Sequence, residues 1–286
     1  MKHMIKDKRS CKVKAIDNIF SLLFKLSFLK EKIKIISDRI SVLYNGYKFS
    51  YDSSENGEDE FINHLAALYN KRCFRFFDVG AHHGTYSALI VEYFDDYSGQ
   101  LFEPTPASYK KLSAKYGKNQ SLKLNNAALS NFNGQAQFIQ YPDDPTRNGL
   151  SGVGREVTFK SEDILCDVLR GDDYCKSEHI DSFHLLKIDA EGHDFNVIDG
   201  FEQLITAKKI DVIQFEYTFK HADIGIPLRR YYEFFESRGY KIGPVRKFGI
   251  DFYEEFDPRF NQYELGPNYV AVKLELVDRF RRFTAG

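Results

Sequence analysis

The sequence predicts a doubly wound α/β domain, a mostly parallel sheet with helices on both faces. Three observations predict it. From Phe74 onward, short apolar runs alternate with stretches of helical period. The 286 residues are 43% hydrophobic and 28% charged, which suits one large domain with or without an appendage and excludes wholesale disorder. No apolar stretch reaches the roughly 18–20 residues needed to cross a bilayer.

The elements follow in order. Residues 1–48 hold twelve Lys or Arg against four Asp or Glu, a net +8 that leaves −9 on residues 49–286 of a chain totalling −1. Within them Ile16, Ile19, Phe20, Leu22, Leu23, Leu26, Leu29, Ile33, Ile36 and Ile40 recur at helical spacing. Residues 1–50 therefore read as a basic amphipathic helical extension that runs into a hairpin signal at Asn45-Gly46, and 51–286 as the main domain. Such a helix suits packing on the main domain or on a second copy in a homo-oligomer, and it also suits an anionic membrane surface. Lys25 interrupts the apolar run and no small-residue cleavage pattern follows, which argues against a secretory signal. Ser53–Glu60 reads as an acidic loop, and Phe61, Ile62, Leu65, Leu68 and Tyr69 mark a short helix.

Strands are expected over Phe74–Val79, Gln100–Phe102, Ser121–Leu129, Phe183–Ile188 and Ile210–Tyr217, and helices over Thr85–Phe94, Pro106–Tyr116, Glu162–Arg170 and Asp194–Ala207. The second of these helices has Thr105 at its N-cap, Pro106 in its first turn and Gly117 after its end. A helix over Leu228–Arg238, a strand near Tyr240–Val245 and a strand over Asn268–Leu274 close the domain. The four cysteines, Cys11, Cys73, Cys166 and Cys175, form no CxxC pair, so neither a disulfide scaffold nor a structural zinc is expected and a reducing, cytoplasmic setting is.

In such a sheet the ligand sits at the carboxyl ends of the strands. The first end reads Asp78-Val79-Gly80-Ala81-His82-His83-Gly84, where the two glycines permit a tight turn and close backbone approach. Nineteen residues after Gly84 stands Glu103, at the end of the second strand, where a carboxylate can accept both hydroxyls of an adenosine ribose. A dinucleotide needs a second glycine where His82 stands, and no Gly-Lys-Ser/Thr serves a nucleoside triphosphate. Asp78, placed just before the loop, suits a cofactor that carries an ammonium and a sulfonium. That points to S-adenosylmethionine.

Four runs in this order resemble the FkbM-type S-adenosylmethionine-dependent methyltransferases: Phe77 to Ser87, Phe102-Glu103-Pro104, Asn126 to Ser130, and Leu186-Lys187-Ile188-Asp189-Ala190-Glu191-Gly192-His193-Asp194. The pattern continues through Phe195 to Gly200 and Gln214-Phe215-Glu216, and the likeness covers about residues 60–275. The Lys-x-Asp-x-Glu-Gly block is its most specific part. His82 stands where an asparagine is frequent and Asp194 where a glutamate is. The resemblance implies a Rossmann-like sheet of seven strands with the last antiparallel. It also implies a donor cradled by Asp78, Gly80, Ala81, His82 and Gly84. Tyr86 and Ser87 would lie near the donor's carboxylate, Glu103 and Pro104 at the ribose, and Asn126 and Ala127 at the adenine.

Catalytic candidates converge at two neighbouring strand ends: Asp189, Glu191 and His193 at the fourth, Glu216 at the fifth. A hydroxyl acceptor needs a base within hydrogen-bond reach. Crowded carboxylates such as Asp189 and Glu216 would raise one another's pKa or draw in a divalent cation such as magnesium. Glu191 suits helix capping as well as catalysis, and His193 suits packing. Lys187 shares a strand face with Asp189 and is placed to pair with it. Two segments, Tyr141–Gly154 and the aromatic, acidic Arg246–Pro267, have the composition of an acceptor site for a polyhydroxylated ring. The resemblance implies O-methylation of a sugar, a glycan or a related small metabolite. Rival readings are an RNA ribose methyltransferase, which the −9 on residues 49–286 disfavours, an NAD-dependent oxidoreductase and a membrane-surface binding protein with a degenerate cofactor fold. No nucleic-acid partner is expected.

Overall fold

The structure is a computed structural model that describes residues 32–37, 40, 53–141, 149–150, 160–218, 220–221, 224–257 and 268–283. The chain divides into two compact units, 1–46 and 47–286. In the first, residues 32–37 and 40 are helical, within the predicted amphipathic stretch. The rest of that stretch and the Asn45-Gly46 hairpin signal lie outside the described residues.

The second unit begins with α1 (Ser53–Asn56) and α2 (Glu58–Leu68), followed by β1 (Phe74–Val79), α3 (Thr85–Tyr93), β2 (Tyr97–Phe102), α4 (Pro106–Tyr116) and β3 (Leu122–Asn125). Next come β4 (Ala128–Ser130), β5 (Gly134–Gln140), β6 (Gly149–Leu150), β7 (Glu162–Arg170) and α5 (Gly171–Ser177). Then follow β8 (Phe183–Ile188), α6 (Asp194–Gly200), α7 (Glu202–Thr206), β9 (Ile210–Glu216) and α8 (Leu228–Glu236). The chain closes with β10 (Tyr240–Arg246), β11 (Gly249–Ile250), β12 (Asn268–Lys273) and α9 (Val277–Phe280).

The main sheet runs β11-β10-β12-β9-β8-β1-β2-β3. From β3 to β9 neighbours are parallel, and β12 lies antiparallel between β9 and β10. Seven longer strands with the last of them reversed is the expected arrangement; the two-residue β11 adds a hairpin edge. Strand pleating splits the core in two. Phe74 and Phe76 face a cluster with Phe61, Ile90 and Leu112 from α2, α3 and α4. Phe77 and Val79 face the other cluster, with Val197, Ile205 and Tyr231 from α6, α7 and α8. No helix among the described residues is long and apolar enough to cross a membrane.

Four expectations are corrected. Glu162–Arg170 is the strand β7, not a helix, and belongs to a second sheet in the order β4-β7-β5-β6. Its apolar residues fit both periods, but Cys166 and Val168 are buried two apart while β5 pairs along its whole length, and pairing decides. Ser121–Leu129 breaks into β3 and β4, which belong to different sheets, with Asn126-Ala127 as the crossing. Asp194–Ala207 is two helices, and a side chain at Gly200 would overlap the Ser130 carbonyl of β4. Ser53–Glu60 is helical rather than a loop, apart from Gly57, whose φ of 93° only glycine tolerates easily.

Candidate active site

The parallel strands all end on one edge, and there the carboxyl ends of β1, β2 and β8 bound a cavity of about 150 Å³. Gly80, His82, Glu103, Pro104, Ala127, Asp189, Glu191 and His193 line it. Leu129 and Phe138, from β4 and β5 of the second sheet, supply an apolar wall.

The glycine corner is tied by its own backbone. The N–H groups of Gly80 and Ala81 both donate to the Phe102 carbonyl at 3.0 and 2.9 Å, and that of Gly84 donates to Ala81 at 2.6 Å. His82 donates its N–H to Glu103 Oε2 at 2.9 Å. With these donors spent inside the fold, the corner offers poor purchase for a pyrophosphate. A side chain at Gly80 would overlap the Asp189 carbonyl, and one at Gly84 the Tyr116 ring. His82 has a φ of 49°, a region that asparagine tolerates better. Its ring stacks on His83 at 3.6 Å. Burial, then the neighbouring His83 and Lys111, push its pKa down to about 4, so it is neutral at pH 7.

Glu103 is 5% exposed. Besides His82, Thr105 donates to it twice, through its N–H at 2.9 Å and through its hydroxyl. Thr105 does stand at the N-cap of α4, but its hydroxyl serves Glu103 rather than the helix. Of about four acceptor positions on a carboxylate, three are taken and one on Oε2 is left. Burial pushes its pKa up, against those hydrogen bonds. Asn126 clamps the next strand end by donating to the carbonyls of Glu103 at 2.8 Å and Pro104 at 3.1 Å.

Beneath the corner lies a polar row. Register aligns Asp78 of β1 with Lys187 of β8, and Lys187 with Gln214 of β9. Asp78 is fully buried, accepts from the Ser87 hydroxyl at 2.5 Å and does not line the cavity. Tyr86 donates to Gln214 at 2.5 Å, and the Lys187 ammonium sits 5.4 Å from its ring. Lys187 pairs with Asp189 at 2.9 Å, as their shared strand face predicted. Burial opposes the charge on Lys187, but Asp189, Asp78, Glu58 and Glu216 hold its pKa above the ordinary lysine value. The positive charge among these carboxylates is thus the protein's own. Among the described residues no group of three or more His, Cys, Asp or Glu is placed to hold a metal ion, so a cation shared by Asp189 and Glu216 finds no support in the geometry.

At the β8 end the chain turns sharply, with a φ of 53° at Glu191 and 98° at Gly192. Glu191 does not cap α6; its carboxylate receives Lys220 at 2.5 Å. Burial first, then Asp189, push its pKa up to about 7, against the pull of Lys220. His193 takes the N-cap position of α6, and its Nε2 lies 2.9 Å from the Ser130 hydroxyl. Burial lowers its pKa to about 4. Glu216, at the adjacent strand end, is raised well above the ordinary value by burial and by Asp189 and Glu191, and it does not line the cavity.

Sequence reasoning missed Phe138 and Leu129, hidden in a sheet it did not foresee, and also Lys220 and His221. Thr218 donates its N–H to His221 Nδ1 at 3.0 Å, which leaves Nε2 to donate to the buried Asp194 at 3.3 Å. Although burial opposes it, His221 and the N–H groups of Gly192 and Glu216 hold Asp194 below the usual carboxylate range. This pair anchors the segment that carries Lys220. Of the two proposed acceptor segments, residues 142–148, 151–159 and 258–267 lie outside the described residues. No described residue of 246–257 lines the cavity, and Phe256 packs on Tyr232 at 5.1 Å.

A sheet with one reversed strand beside β9, a glycine corner after β1 and an acid at the end of β2 define a Rossmann-like methyltransferase. Residues 78–242, more than half of the chain, match the Methyltransferase FkbM domain. The chain belongs to that family. Similar solved structures include the FkbM methyltransferase of Methylobacillus flagellatus KT, 15% identical with a TM-score of 0.45 over 70% of this chain and 43% of that one. This chain therefore spans less than half of that relative's length. The O-methyltransferase TomG of Streptomyces achromogenes, involved in tomaymycin synthesis and solved with S-adenosylmethionine, is 12% identical with a TM-score of 0.42 over 76% and 81% of the two chains. The precorrin-6y C5,15-methyltransferase of Geobacter metallireducens is 12% identical with a TM-score of 0.40 over 79% and 94%. A search of curated protein sequences finds no match.

Proposed function

We propose that this protein transfers the methyl group of S-adenosylmethionine to a hydroxyl oxygen of a neutral sugar, glycan or related small metabolite. The observation that carries the donor is Glu103, a buried carboxylate with an acceptor position left beside a corner where the N–H groups of Gly80, Ala81, His82 and Gly84 are spent. Such a corner suits an adenosine without phosphates. Glu103 would hold the ribose, Ala127, Leu129 and Phe138 would flank the adenine, and Gly80 would admit the methionine part. The donor, once bound, supplies a methyl on a positively charged sulfur, which leaves as a neutral thioether.

The chain's own residues position the acceptor and take its proton. Glu191 is the base this reading favours: it lines the cavity, and a pKa of about 7 lets it accept a proton at neutral pH without being fully protonated beforehand. Asp189 is engaged by Lys187, and His193 is turned toward Ser130. The carboxylates at the cavity favour an uncharged acceptor over a phosphorylated one, and the −9 on residues 49–286 speaks against RNA. The test is mass spectrometry of glycans and small metabolites from cells with and without the protein. A species heavier by about one CH₂, dependent on the protein and lost in the Glu191→Gln variant, is expected. A gain found only on nucleic acid or on nitrogen would overturn the reading.

A further inference from the structure

Residues 1–46 form a compact unit of their own, outside the residues 78–242 that match the family domain. Within it residues 32–37 and 40 are helical, and by helical period Ile33, Ile36 and Ile40 share one face. Ile36 is 56% and Ile40 61% exposed, and the neighbouring Ile35 is 54% exposed. Three of the seven large hydrophobic side chains exposed among the described residues thus fall within six positions. Apolar side chains scattered singly over a surface need no account, but a group on one helix asks what covers it.

The sequence spacing extends that face and says what suits it. Ile19, Leu22, Leu26, Leu29, Ile33, Ile36 and Ile40 follow one another at alternating steps of three and four, a heptad repeat. The two heptad positions that flank this seam hold Lys25, Lys30, Lys32 and Arg39 and no acid. Asp17, Glu31 and Asp38 all take the position opposite the seam. A second copy packed on the seam would bring flanking cation against flanking cation, whether parallel or antiparallel. Negative lipid headgroups would instead pair with those cations, while the acids point away into water. Phe20, Leu23, Phe24 and Phe28 lie beside the seam, which makes the apolar face wider than a two-helix contact uses. The net +8 on residues 1–48, in a chain totalling −1, adds to the attraction. We propose that this segment lies on an anionic membrane surface, its apolar face at the acyl boundary and its lysines among the headgroups. The inference stands independently of the donor and the acceptor.

The experiment is co-sedimentation of the full chain with vesicles of phosphatidylcholine alone and with vesicles in which one-third of the lipid is phosphatidylglycerol. Binding to the anionic vesicles is expected to be at least about tenfold tighter than to the neutral ones, and added salt should weaken it. Ile36→Glu combined with Ile40→Glu sets carboxylates in the apolar face and is expected to weaken binding at least about tenfold. That variant should melt at the wild-type temperature, because both side chains are exposed. Lys30→Gln combined with Lys32→Gln is expected to cost about fivefold per charge, roughly 25-fold together. Failure of the wild type to bind anionic vesicles overturns the inference, and so does equal binding to both kinds. Full binding by the Ile36→Glu, Ile40→Glu variant overturns it as well, since the contact would then lie elsewhere. A dimer in sedimentation equilibrium that this variant breaks, with no binding to vesicles, would assign the face to a second copy instead.

Discussion

The two ends of the cavity are built differently. At the β1–β2 end the corner is closed by main-chain hydrogen bonds, from Gly80 and Ala81 to Phe102 and from His82 to Glu103. Its shape depends on glycine positions and strand spacing. At the β8–β9 end the geometry depends on polar and charged side chains brought from separate strands and loops: Lys187 pairs with Asp189, Lys220 with Glu191, and His221 hydrogen-bonds to Asp194. The first end is a rigid receptor. The second is a balance of charges that pH and single substitutions can move, which suits binding at one end and proton transfer at the other.

The largest effect that would break this comparison is at Gly80. A Cβ there overlaps the Asp189 carbonyl, and a φ of 79° strains any other residue. Gly80→Ala is expected to abolish donor binding and to lower stability by about 2 kcal/mol or more, read by calorimetry and by denaturant melts. Donor affinity and stability both near wild type would show that the corner is not the rigid element. Glu103→Ala comes next. Loss of a charge-assisted hydrogen bond costs about 1.5–3 kcal/mol, or roughly 10- to 150-fold in donor affinity, and unchanged affinity counts against the ribose assignment.

The other end is sharpened by pH. Glu191, raised to about 7, must lose its proton to act, so the transfer rate on the identified acceptor is expected to climb through neutrality and level off above it. Glu191→Gln should lose that limb. Lys220→Met removes the cation that lowers the Glu191 pKa, so the limb should move to higher pH while donor affinity stays within about threefold. A limb that does not move separates Lys220 from the base.

Much of the first end was legible in the sequence. Gly80 to Gly84, Glu103 and the Thr105-Pro106 helix start are local signals, set by strand period, turn residues and the missing N–H of proline. Tyr86, Ser87 and Asp78 were legible as a group but not as the buried row they form, because only strand register brings Asp78, Lys187 and Gln214 abreast. The second sheet escaped because Glu162–Arg170 satisfies two periodicities, and the partner that selects one, Gly134–Gln140, lies well back in the chain. With that sheet went Phe138 and Leu129. Lys220 and His221 carried no local mark of function at all.

From the amino-acid order alone came the α/β class, the glycine corner and the acid that faces it, since each depends on residues a few positions apart and on the steric rules of the backbone. Which carboxylate titrates near pH 7 and which cation answers it were decided by the tertiary fold. Protonation and charge balance depend on burial and on neighbours that folding alone brings within a few ångströms.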